Sequence, residues 1–95
     1  LGYADGVPRR LWRVGGEVLI GGKRCPIVGV VTMDQLVVNC GDHVVKIGDR
    51  AVLLGAQESQ AISANEIATR LETIGYEIVC GISARVPRVY VENKA

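Results

Sequence analysis

Apolar residues in this chain fall in short runs broken by glycine. The run 17–20 is closed by Gly21 and Gly22 and answered by the run 24–31, a pairing that predicts a β-hairpin with Gly29 as a bulge or a point of close approach. A third run, 36–40, stops at Gly41 and Asp42, and Gly48 with Asp49 makes a turn that launches a fourth, 50–54. Runs and turns recur roughly every 8 to 12 residues, the spacing of small barrels and sandwiches. One segment changes period: Ile67, Leu71 and Ile74 fall at helical spacing, with Ala64 and Ala68 in the same stripe. Ser63 can cap the free amides at its start while Glu66 reaches back to the Ser63 amide, and Gly75 supplies a left-handed stop, which predicts a single helix over 63–74. Residues 77–83 and 88–92 read as two further strands around Pro87. The expected fold is mainly β, one small barrel-like domain of mostly antiparallel strands with one α-helix.

Composition narrows the class. The 95 residues are 48% hydrophobic, enough for one core and no more. Eleven Lys and Arg against ten Asp and Glu leave a net charge of +1, too little to recruit nucleic acid or an acidic membrane surface. Trp12, Tyr3, Tyr76 and Tyr90 are scattered and Phe is absent, so no aromatic platform for bases is evident. Cys25, Cys40 and Cys80 lie too far apart for the C-x-x-C pairs of zinc or redox sites, and they read as reduced thiols acting as small hydrophobes. No apolar run reaches the roughly 20 residues of a membrane span, and the amino end lacks the order of a signal peptide. A cytoplasmic location is expected.

Candidate chemistry lies in polar loops. His43, the only histidine, sits beside Asp42 in an expected turn where no Ser or Cys suggests a triad, and reads as a solvated turn residue. Asp34 follows Met33 at the end of an apolar run, where a turn-capping role and a functional one both fit. Residues 2–10, G-Y-A-D-G-V-P-R-R, gather Tyr3, Asp5, Arg9 and Arg10 in nine residues, with Gly2 and Gly6 permitting unusual backbone angles. Tyr76, Arg85 and Arg88 form a second polar group near the carboxy end. None of these identifies a reaction. The opening Leu1-Gly2-Tyr3 has no initiator Met and places a functional-looking loop at the edge of the chain, which reads as a fragment of a longer protein.

Four motifs carry a resemblance: G-Y-A-D-G-V-P-R-R at 2–10, P-I-V-G-V-V-T-M-D-Q at 26–35, G-D-R-A-V-L-L-G at 48–55 and T-I-G-Y-E-I-V-C-G-I-S-A-R-V-P-R-V-Y at 73–90. In this order and spacing they cover nearly the whole chain, which resembles the carboxy-terminal domain of alanine racemase over residues 1–95. The resemblance implies a β domain that follows a pyridoxal 5′-phosphate (PLP) binding barrel and packs on the barrel of a second subunit in a homodimer. The full enzyme would then be a bacterial isomerase interconverting L- and D-alanine for the cell wall. By the same resemblance Tyr3, Arg9 and Ile74 line a substrate entry corridor. Met33 and Asp34 meet the substrate in the partner's active site, the Met33 amide facing its carboxylate, and Tyr76 bonds the PLP phosphate.

The family's PLP-bearing Lys and its catalytic Tyr lie upstream of such a segment, so no catalytic residue and no metal site is expected within 1–95, and the piece alone is expected to be inactive. An Arg that the family often carries stands here as Val30, and an Asp as Asn39. Two other readings fit the sequence: a related fold-type III racemase of other or broad specificity, and a free-standing β-barrel interaction module.

Overall fold

In a computed structural model the chain is described over residues 1–90. Two 3-10 segments open it, Tyr3–Asp5 and Arg9–Val14, followed by β1 (Glu17–Ile20) and β2 (Lys23–Val28), then the two-residue strands β3 (Val37–Val38) and β4 (Ala51–Val52). A hairpin of β5 (Gly55–Gln57) and β6 (Gln60–Ile62) leads into α1 (Ala64–Leu71) and α2 (Gly75–Cys80). The main sheet is antiparallel in the order β3-β2-β1-β4, and β5-β6 forms a separate two-stranded ladder. The mainly β class is as expected, with the strands short and the helices more numerous.

The β1–β2 hairpin is where sequence and structure agree most closely. Gly21 and Gly22 adopt positive φ values of 61° and 75°, the left-handed pair that a two-residue turn with the right strand twist requires. β1 contributes Val18, Leu19 and Ile20 to the core in succession, because this strand is paired on both edges and covered on both faces. β2 alternates instead: Cys25 and Ile27 point inward, Pro26 and Val28 outward. Leu11, Val31, Ile62 and Ile67 close the core around them.

At α1, Ser63 caps the helix, its Oγ accepting from the Glu66 amide at 3.0 Å. The reciprocal bond does not form, because the Glu66 carboxylate is taken by Arg24 at 2.7 and 2.9 Å. Nor does the helix run to Ile74. It ends at Leu71, Glu72 turns left-handed at φ 58°, and the Thr73 amide closes on the Ala68 carbonyl at 2.8 Å. Gly75 therefore begins a second helix rather than stopping the first, and most of the strand expected over 77–83 is α2. Arg88 to Tyr90 is not in a strand, and Val91 and Glu92 lie outside the described residues. Gly29 bends left-handed at φ 73° with open space around it, so it is a bend and not a close approach.

Candidate functional site

Gly2 decides how the amino-terminal turn sits. A Cβ there would stand 2.2 Å from the Thr32 carbonyl and 2.5 Å from that of Met33, so the turn lies flat on the loop after β2 only because position 2 has no side chain. The Tyr3 amide donates to the Thr32 carbonyl at 2.8 Å and the Ala4 amide to the Met33 carbonyl at 3.0 Å. Gly6, at φ 110°, comes equally close to Gly81 just past α2, and the Ser83 amide donates to the Asp5 carbonyl at 3.1 Å. Three segments remote in sequence thus meet through backbone contacts.

Side chains complete the junction. The Asp5 carboxylate accepts from the Gly2 amide at 3.0 Å and faces Arg85 Nε at 3.4 Å. The same guanidinium reaches Asp34 Oδ1 at 2.7 Å. Asp34 and, after it, Asp5 hold the Arg85 pKa above its ordinary value, so it stays a cation. The Arg9 guanidinium lies 5.6 Å from the centre of the Tyr3 ring, in cation–π range. In the loop 31–35, the Thr32 amide bonds the Gln35 carbonyl at 2.9 Å and the Gln35 amide bonds Thr32 Oγ1 at 3.1 Å. The amides of Met33 and Asp34 find no partner among the described residues. Two unpaired N–H donors in one turn, with exposed Met33 beside them, suit a carboxylate.

The residues singled out from the sequence thus sort into two places. Tyr3, Arg9, Met33 and Asp34 belong to the junction. Ile74 and Tyr76 instead line an open cleft with Ser63, Asn65 and Val79, at the start of α2. Tyr76 is 82% exposed and shares no hydrogen bond with Arg85 or Arg88, so the expected polar group at the carboxy end is split. Arg88 folds back on the carbonyls of Ile82, Ser83 and Val86. His43 is half-buried, its ring over Gly21 in the hairpin turn, and is not freely solvated. Cys25 is buried in the core and half-buried Cys40 packs against it, whereas Cys80 is exposed; burial and Cys40 push the Cys25 thiol pKa up. Among the described residues no cluster of His, Cys, Asp and Glu could hold a metal. Arg85 was visible in the sequence only as a charge near Pro87, and nothing there signalled that it meets Asp5 and Asp34.

Known proteins share this sequence pattern and fold. The family model described as "Alanine racemase, C-terminal domain" matches residues 1–90. This chain belongs to that family. It is 57% identical over 91 residues to the alanine racemase of Symbiobacterium thermophilum, covering 95% of this chain and 24% of that protein. It is 52% identical over 95 residues to that of Halothermothrix orenii, covering 99% and 24%. The crystal structure of alanine racemase from Bacillus anthracis with bound L-Ala-P superimposes with a TM-score of 0.91 at 48% identity, over 100% of this chain and 24% of that one. The chain spans about a quarter of the length of these racemases. Among the described residues no helix is long and apolar enough to cross a membrane.

Proposed function

We propose that this alanine racemase domain works within a PLP-dependent cytoplasmic enzyme that interconverts L- and D-alanine for the cell wall. In this reading it completes the active site on the barrel of a second subunit. The observation that carries the reading is the turn at Met33 and Asp34, whose two amides are unpaired among the described residues and whose backbone is fixed by the Gly2 contact. There the Met33 amide holds the substrate carboxylate, and backbone donors do so without setting a mobile proton beside the reacting carbon. Tyr3 and Arg9 line the approach to this turn, whereas Ile74, beside Tyr76, lines the way into the second cleft.

The cleft at the start of α2 fits the phosphate of PLP. Its lining of Ser63, Ala64, Asn65, Ile74, Gly75, Tyr76 and Val79 offers neutral donors and no carboxylate to repel an anion. Tyr76 would hold the phosphate through its phenol. When bound, PLP supplies the electron sink that stabilises charge at the substrate Cα. The lining contains no lysine, so the anchoring amine and the bases on either face of Cα come from elsewhere in the full enzyme.

Exchange of the alanine α-proton in deuterated buffer tests this. The full-length racemase with PLP should exchange it and yield both enantiomers, whereas the 95-residue chain with PLP should do neither. Exchange by the chain alone, with one of its lysines trapped stoichiometrically by borohydride, would place the whole site here and sink the proposal.

A further inference from the structure

From the junction we infer that Arg85 is a positioning residue: it holds the Met33–Asp34 turn where it meets substrate and offsets the Asp34 carboxylate beside the incoming anion. This rests on the reading given above, which puts a substrate carboxylate at the Met33 amide. Asp34 follows Met33 directly, so an unpaired Asp34 would repel that substrate at close range. Arg85 Nη2 lies 2.7 Å from Asp34 Oδ1, while its Nε faces Asp5 Oδ1 at 3.4 Å. Asp5 is itself fixed, its side chain only 11% exposed and its other oxygen accepting from the Gly2 amide at 3.0 Å. The Arg85 amide is tied to Ser83 Oγ at 3.3 Å, and the Ser83 amide to the Asp5 carbonyl at 3.1 Å. One guanidinium therefore spans the exposed end of the 31–35 loop and a carboxylate anchored on the amino-terminal turn. The planar fork of Arg suits two carboxylates at once, which a point-charge ammonium does less well.

A purely structural role is a poor account of this placement. The side chains of Arg85 and Asp34 are 52% and 62% exposed, and ion pairs so exposed add little to folding. What the pair controls is charge and position at a turn with two unpaired amides.

The test uses the full-length racemase loaded with PLP, and compares Arg85→Ala, Arg85→Lys, Asp34→Asn and the double variant R85A/D34N. Arg85→Ala should raise KM for alanine about ten- to a hundredfold, the scale expected when a binding group is misplaced by about an ångström, with kcat falling by less. Arg85→Lys should recover part of that loss. Adding Asp34→Asn to Arg85→Ala should lower KM again, because the repulsion is gone. PLP content and thermal midpoint should stay near those of the parent. An unchanged KM in Arg85→Ala, in an enzyme where Tyr76→Phe does weaken PLP retention, would overturn the role of Arg85 and leave the proposed function standing. If KM, kcat and PLP retention are all indifferent to changes at Arg85, Asp34 and Tyr76, the proposed function itself falls. Should Arg85→Ala not fold, Arg85→Lys decides: a severalfold rise in KM at unchanged PLP content supports the role, and an unchanged KM refutes it.

Discussion

The two helices of this domain stand side by side and could hardly be built more differently. α1 carries a side-chain cap at Ser63, buries Ile67 and Ala68, and is tied to β2 by the Arg24–Glu66 pair. α2 has no side-chain cap and no buried residue, and it leaves Ile74, Tyr76 and Val79 well exposed. The first is held by the interior of its own chain; the second is displayed by it. The same contrast separates β1, buried along most of its length, from the turn at Met33 and Asp34, where four successive residues are exposed. Completing a site on another chain, the role proposed above, calls for both parts, a rigid frame and a rim whose groups are satisfied only when the partner arrives.

The sharpest way to break the frame is at Leu19, which is fully buried at the centre of β1. Leu19→Ala removes that contact and leaves a cavity that the paired strand cannot collapse into, at a cost of about 2–5 kcal/mol. Urea unfolding of the chain should show the loss as a lower midpoint at a similar slope. A loss below about 1 kcal/mol would mean that the frame does not centre on β1.

How much of this was legible follows the same division. The β1–β2 hairpin was readable because two glycines sit where left-handed residues are needed, and the start of α1 because Ser63 is a good cap. The hairpin of β5 and β6 was not, since its turn uses Glu58 at φ 54° in place of Gly or Asn. α2 was misread because Glu77-Ile78-Val79-Cys80 is rich in strand-forming residues, and its helicity is set by the left-handed turn at Glu72 that frees Ile74 to start a new helix. At the site, Tyr3, Met33 and Tyr76 were reached through motifs. The role of Arg85 depends on a contact spanning 51 residues, which no local pattern encodes.

A smaller effect is expected where frame and helix are joined. Arg24 donates to Glu66 through both terminal nitrogens and also contacts Glu17, Gln60 and the Ala61 carbonyl. The guanidinium holds the Glu66 carboxyl below its ordinary value of 4.5. A carboxylate with a lowered folded pKa stabilises the fold above its unfolded pKa, and that contribution fades as pH falls through 4.5 and below. Glu66→Gln should therefore cost about 1 kcal/mol at neutral pH, discounted for partial exposure, and should flatten the acid limb of a stability–pH profile. An acid limb identical to the parent's would show that Glu66 is not the group being titrated.

The smallest effect on folding is expected at Tyr76, and it separates the rim from the frame most cleanly. At 82% exposure its ring contributes almost nothing to the core, so Tyr76→Phe should change unfolding free energy by no more than about 0.5 kcal/mol. In the full-length racemase the same change removes a phenol donor from the cleft beside Ser63 and Asn65. Loss of one neutral hydrogen bond to phosphate weakens PLP retention by about 0.5–1.5 kcal/mol, and by up to about 3 if the phosphate charge strengthens it. Dialysis followed by the absorbance of retained PLP reads this directly, with thermal unfolding of the same sample as the control. A frame residue would reverse the pattern, losing stability while PLP retention held. That outcome at Tyr76 would move α2 into the frame and remove the phosphate contact from the proposed site.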